Sequence, residues 1–193
     1  MVYDRTYEYL NERLQPHLNS REIARVDRAY ELASRAHAGQ IRDEGTSYIV
    51  HPVRVAISLV DELDIHSPEL ISSALLHDVI EDSDTTRDQV ETMFGSEVAK
   101  IVWLLTKLEE VSLRDYLAAI EAEPATGAPI VKLCDRLDNL RFLAQSPKLE
   151  KKLRYIRTTE LFYLPMAERT HPYLHNQLSR ALESVKSHVA ELV

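Results

Sequence analysis

Apolar residues recur every three or four positions along almost the whole chain, the interval of an amphipathic α-helix. Ile23, Val26, Ala29, Tyr30 and Ala33 show it, with Ala36 or His37 completing the face and Ser20 read as the cap. Ile130, Val131, Leu133, Cys134, Leu137 and Leu140 show it again, within a helix expected to run to Leu143. Start and stop signals agree with the periodicity. Ser67-Pro68 opens a helix running through Leu70, Ile71, Ala74 and Leu75. Thr86 and Gln89 have capping-box spacing, and Gly95 closes that short helix. Tyr3 to Leu14, Ser96 to Leu105 and Ser112 to Ala122 add three more, and EPATGAP is the clearest loop. Pro147 begins a helix that Pro165 ends or kinks near Tyr163, and a last helix runs from about Pro172. The run VRVAISLV has β-propensity. Its place between the proline start at Pro52 and a charged DEL end fits a helix better.

The expected fold is therefore all-α: a single compact domain over residues 1–193 with about nine or ten helices. Only four glycines are present, which argues against folds that cradle phosphate on glycine-rich loops. The net charge of -8 gives no general attraction to nucleic acid or to an anionic membrane. A lone cysteine, Cys134, permits no internal disulfide and fits a reducing compartment. The start MVYDRTYEYLNERL lacks the apolar core of a secretion signal, and no apolar run approaches bilayer length. A cytoplasmic location is expected; nothing fixes the oligomeric state.

Chemistry concentrates in LLHDVIEDSDTT, Leu75 to Thr86. Read as one continuous helix, this stretch stacks His77 over Glu81 and Asp78 over Asp82. Crowded acids at a helix C-terminus repel one another and the exposed carbonyls unless a cation sits among them. Two readings follow: a solvated acidic helix end, or a metal site. Two further candidate ligands favour the second. His51 precedes Pro52, which pushes its backbone toward extended geometry just before a helix; the plainer reading is a helix-flanking histidine bonded to a carbonyl. Asp135 lies one turn from Asn139 among apolar neighbours, with Arg136 or Arg141 as alternative partners, and Asp138 falls at a more exposed angle. Two imidazoles and two carboxylates form a nitrogen–oxygen set suited to Mn²⁺, Fe²⁺ or Zn²⁺, whereas Mg²⁺ prefers an all-oxygen shell. Such a metal would activate water and polarise a phosphoryl oxygen. Glu81 and Asp82, one turn past the ligands, are placed to accept a proton or orient the attacking water.

The order of a histidine, an adjacent His-Asp and a distant Asp resembles the HD-type metal phosphohydrolases. More narrowly, the chain resembles the hydrolase domain of the bacterial stringent-response enzymes and the small alarmone hydrolases. AHAGQIR, GTSYIVHP, ALLHDVIEDSDTT, FGSEVAKIV with LLTKL, IVKLCDRLDNLRFL and LPMAERT carry the resemblance, in the family's order and over most of the chain. It implies a metal, usually Mn²⁺, held by His51, His77, Asp78 and Asp135. It implies that Glu81 and Asp82 handle the nucleophilic water. It sets Asn139 near the substrate sugar and phosphates and Arg42 against a guanine base. The implied reaction removes the 3′-pyrophosphate of (p)ppGpp, giving GDP or GTP and pyrophosphate, so the expected partner is a small-molecule nucleotide.

Lys107, Lys132, Arg136 and Arg141 are the other basic residues near the acidic motifs, each either a contact for an anionic substrate or an ordinary solvated charge. Tyr48 is a nucleoside contact or a core tyrosine with its hydroxyl at the rim. Four departures from the family pattern stand out: Asp43 where a lysine is common, Asp138 and Glu168 where histidines are usual, and Trp103 at a glycine-like position. The first removes a positive charge near the base or phosphates. It keeps an adenine alarmone, or another nucleotide phosphate ester, as an alternative substrate. A non-catalytic alarmone-binding regulator is the remaining alternative.

Overall fold

Side-chain caps begin five of the helices, seen here in a computed structural model that describes residues 6–191. Helix α1 (Tyr7–Leu14) starts at Thr6, whose side chain accepts from the Tyr9 N–H; the expected start at Tyr3 lies outside the described residues. Asn19, rather than Ser20, caps α2 (Ser20–Ala36), and Glu22 reaches back to complete a capping box. Ser67 caps α4 (Pro68–Leu75) as expected. Thr86 and Gln89 form the anticipated box at α6 (Arg87–Phe94), and α7 (Ser96–Leu105) follows directly after Gly95.

Helix α3 (Val50–Leu63) holds the VRVAISLV run, and every residue from His51 to Val60 is buried. Burial on all sides explains the missing amphipathic pattern and the strand-like look of that stretch. The helix begins two residues before Pro52, so His51 has helical backbone inside the first turn, not the extended geometry expected of it. Pro52 is tolerated because first-turn N–H groups have no intrahelical partner.

The expected single helix through LLHDVIED breaks. Helix α4 stops at Leu75, Leu76 and Asp78 sit near φ −100°, ψ 0°, and a single turn, α5 (Val79–Asp82), resumes. The His77 Nδ1 takes the Ala74 carbonyl at 2.7 Å, and the Val79 N–H turns back to Leu76. Side-chain capture of a terminal carbonyl thus replaces the next helical rung. His77 and Glu81 consequently do not share one uninterrupted face.

Helices α8 (Leu113–Glu121) and α9 (Ala128–Leu143) flank a 3₁₀ turn at Pro124–Thr126. Helix α10 (Leu149–Thr158) continues through a π turn (Thr159–Tyr163) into α11 (Leu164–Thr170), so Pro165 accompanies a widened turn and not a stop. Helix α12 (Pro172–Ala190) closes the chain. The class is all-α; counting each break separately gives twelve α segments among the described residues. One isolated antiparallel bridge, Ile41 to Ser47, pins the α2–α3 loop.

Helix α9 lies at the centre, packed on α3, α4, α7 and α12, while α2 covers α4. Buried apolar side chains form one cluster from Leu10 to Val189. Among the described residues, no helix is long and apolar enough to cross a membrane.

Candidate metal centre and nucleotide cavity

Three segments meet where the first turn of α3, the α4–α5 break and the middle of α9 converge. His51 comes from the first, His77 and Asp78 from the second, and Asp135 from the third. One donor atom each from His51, His77 and Asp78 lies within 4.8 Å of the others. The Nε2 of His51 is 3.1 Å from Asp135 Oδ1 and 3.9 Å from Asp78 Oδ2. The Nε2 of His77 is 3.1 Å from Asp78 Oδ2 and 3.9 Å from Asp135 Oδ1. Two nitrogens and two carboxylates therefore face one small volume.

Hydrogen bonding shows that these residues fit a metal. The Nδ1 atoms are engaged, His77 with the Ala74 carbonyl and His51 with Asp138 at 2.7 Å. Both Nε2 atoms are thereby turned inward. The buried Nε2 of His77 makes no hydrogen bond; its approach to Asp78 is close but badly aligned. An orphaned buried polar atom is costly unless something absent from the side chains satisfies it. The electrostatics ask for a cation as well. Burial pushes the His77 imidazole down, but the Asp78 and Asp135 carboxylates outweigh it and raise the ring to about 9. Burial likewise pushes Asp78 up, yet His77 holds it well below the usual carboxylate range. For Asp135 the same penalty is overcome by Lys132 and the two histidines.

The cavity above this cluster measures about 340 Å³. His51, Asp78 and Asp135 line it together with Arg42, Tyr48, Glu81, Asp82, Lys107, Lys132 and Asn139. His77 lies fully buried behind Asp78. Arg136 is not part of the lining; it is buried with its guanidinium 3.8 Å from the Tyr163 ring centre and 4.3 Å from that of Tyr155, two rings that do face the cavity. Arg141 pairs with Glu62 instead.

Several side chains are held in place. Glu81 accepts from the Lys107 backbone N–H at 2.9 Å. Burial, with the Asp78 charge adding to it, raises the carboxyls of both Glu81 and Asp82. Tyr48 donates to Asp78 Oδ2 at 2.7 Å, so its hydroxyl orients a carboxylate at the site. Asn139 donates to Asp135 Oδ1 at 2.6 Å and accepts from Arg42 at 2.9 Å. Lys132 sits 2.8 Å from Asp135 Oδ2.

Two features escaped the sequence reading. Asp138, expected at an exposed angle, is 1% exposed and bonds both His51 and Arg54. The signal was Arg54 itself, a lone cation inside the apolar VRVAISLV run. Asp43 is not an unbalanced acid either: Lys148 at 2.8 Å and Lys151 at 2.7 Å hold its carboxyl well below the usual range, with Ser146 also donating. The charge lost by having an acid at 43 is matched by lysines at the start of α10, Lys148 just before it and Lys151 within it, whose position beside the loop only the folded chain reveals.

Comparison with known proteins agrees with this geometry. Residues 29–171 match the HD domain family, a span that includes all four clustered residues. The chain belongs to the HD-domain family. It is 38% identical over 174 residues to the bifunctional (p)ppGpp synthase/hydrolase SpoT of Escherichia coli (strain K12), covering 84% of this chain and 24% of that one. It is 36% identical over 152 residues to the guanosine-3′,5′-bis(diphosphate) 3′-pyrophosphohydrolase of Aquifex aeolicus (strain VF5), covering 75% and 21%. The chain thus spans about a quarter of the length of these curated relatives. A solved structure of a metazoan ortholog of SpoT, described as hydrolysing ppGpp and playing a role in starvation responses, superposes with TM-score 0.72 at 26% identity. That match covers 83% of this chain and 95% of the other.

Proposed function

We propose that this chain is a metal-dependent 3′-pyrophosphohydrolase of (p)ppGpp, with residues 1–193 acting as one hydrolase domain. The convergence of His51, His77, Asp78 and Asp135 beneath a cavity that also presents Glu81 and Asp82 carries the reading. The relatives support its direction. The match spans a fraction of the bifunctional SpoT but nearly all of the metazoan protein described as hydrolysing ppGpp, so hydrolysis is the activity the shared region has in common.

The four clustered side chains would hold a divalent ion, proposed to be Mn²⁺ from the mixed nitrogen–oxygen donors. When bound, that ion supplies Lewis-acid neutralisation of the phosphoryl oxygens. The protein's own residues do the rest. Glu81 and Asp82, with raised carboxyl pKa values, orient the attacking water and take its proton. Attack falls on the phosphorus bonded to the 3′ oxygen. The P–O3′ bond breaks, the ribose oxygen leaves and takes up a proton as the 3′-hydroxyl of GDP or GTP, and the water oxygen ends on the released pyrophosphate. Asn139, fixed between Arg42 and Asp135, faces the sugar and phosphates. Arg42, 5.7 Å from the Tyr48 ring centre, offers a guanidinium plane to the base. Lys107 and Lys132 balance substrate charge. The reducing compartment expected from Cys134, the cytoplasm, belongs to the same proposal; burial also pushes that thiol up, away from reactivity.

Product analysis tests the reading. Purified protein with Mn²⁺ is expected to release pyrophosphate and GDP from ppGpp. The adenosine 3′-diphosphate counterpart, run in parallel, reports whether base contacts near Asp43 discriminate. Release of orthophosphate alone, or turnover only of nucleoside monophosphates, overturns the assignment.

A further inference from the structure

Two facing helices each contribute one member of the metal cluster and, three residues later on the same face, one buried charge that does not itself line the cavity. On α3 these are His51 and Arg54; on α9 they are Asp135 and Asp138. The Nδ1 of His51 lies 2.7 Å from Asp138 Oδ2. Arg54 grips the same carboxylate in a fork, Nε to Oδ1 at 2.7 Å and Nη2 to Oδ2 at 3.0 Å. The three side chains are at most 4% exposed. Resting on the metal-centre reading above, we propose that Asp138, fixed by Arg54, is the positioning residue that presents His51 Nε2 to the metal.

The chemistry leaves little latitude. A carboxylate gripped by a guanidinium can only accept, so at this separation the proton is on His51 Nδ1. Nε2 is then the only ring nitrogen that can ligate, giving up any proton it carries as the metal binds. A carboxylate behind a histidine both selects the tautomer and raises the basicity of the liganding nitrogen. Asp138 cannot do this alone, since a third buried acid near Asp78 and Asp135 needs a counter-charge. Arg54 supplies it, and Arg54 is itself immobilised. Its guanidinium lies 3.6 Å from the Phe142 ring centre, and Nη2 also reaches Glu44 at 3.3 Å. Glu44 in turn accepts from Arg42 at 2.8 Å. An unbroken series of side chains therefore links His51 to the arginine at the base end of the cavity.

Manganese titration calorimetry and ring-nitrogen NMR on the full chain test this assignment. Wild type is expected to bind one Mn²⁺, and its metal-free His51 ring to show the Nδ1–H tautomer. Asp138→Asn should weaken manganese binding about 10- to 100-fold and give a tautomer mixture at His51. That variant leaves buried Arg54 with only the longer contact to Glu44, so the paired variant R54Q/D138N removes both charges. It should recover thermal stability relative to D138N while keeping the weakened manganese affinity, which a purely structural role would not produce. A folded D138N or R54Q/D138N protein that binds manganese as wild type does overturns the assignment, as does an Nε2–H tautomer in metal-free wild type. Wild type that binds no manganese overturns the metal-centre reading, and this inference with it. Manganese binding that is equal in wild type and the paired variant overturns only the role of Asp138.

Discussion

Glu81 shows how a single backbone contact shapes a catalytic assignment. Its carboxylate is held by the Lys107 N–H at the cavity rim, outside the cluster that would bind metal. A glutamine there keeps an oxygen to accept that bond and loses the capacity to take a proton. Glu81→Gln is therefore expected to lower kcat by about 10²- to 10³-fold, with manganese affinity and KM little changed, as measured by steady-state kinetics and calorimetry. Full activity in a metal-replete Glu81→Gln protein would remove Glu81 from the proton pathway. Tyr48 is the instructive contrast. Its ring borders Arg42, as a nucleoside contact should, while its hydroxyl is spent on Asp78. One tyrosine has a face and a tip with different neighbours: the ring lines the cavity and the hydroxyl fixes a carboxylate.

At the scale of elements, the site depends on how α3, α9 and the α4–α5 break are clamped together. Glu62, near the end of α3, receives a two-pronged bond from Arg141 of α9 at 2.6 and 2.8 Å and another from Tyr173 of α12. Burial pushes the Glu62 carboxyl up, but Arg141, Tyr173 and Ser58 outweigh it and leave it below its ordinary value of 4.5. A folded-state pKa lower than the unfolded one stabilises the protein above the unfolded pKa, and that gain disappears as pH falls through the folded one. Glu62→Gln should thus cost about 1–2 kcal/mol at pH 7. The gap to wild type should close progressively below pH ~4, in denaturant melts across that range. A gap that widens on acidification would contradict the assigned direction. The break before α5 is equally consequential, because it buries His77 and leaves Glu81 and Asp82 exposed at the rim. An unbroken helix would have placed these three and Asp78 on one stripe.

For the whole molecule, metal binding and folding should be linked. The cluster gathers Asp78, Asp135 and Asp138 around two histidines, with Lys132 and Arg54 as the nearby cations. A ligand that binds only the folded chain stabilises it by about 2.7 kcal/mol at a hundred times its Kd. In a chain of this size that corresponds to a Tm rise of about 5–10 °C. Manganese is expected to produce this shift, EDTA to reverse it, and His77→Ala to abolish it, in thermal melts followed by circular dichroism. An identical Tm with and without manganese would leave the cluster without its cation.

Sequence by itself determined the helical class, most helix starts, and the four residues that cluster. The first two are written locally, in a 3.6-residue period or a capping side chain; of the four, His77 and Asp78 stand as a pair whose cost demands a partner, and the family resemblance adds His51 and Asp135. It also brought Arg42, Tyr48, Glu81, Asp82, Lys107, Lys132 and Asn139 into consideration, and all of them line the cavity. What lay beyond it was non-local. Whether Asp138 faces water or His51 depends on the rotation of α9 against α3. Whether Arg136 meets substrate or two tyrosines depends on the widened turn at Thr159–Tyr163. Whether Asp43 repels a nucleotide depends on lysines more than a hundred positions away. A side chain's type fixes what it can bond, but only the tertiary packing decides which partner is within reach.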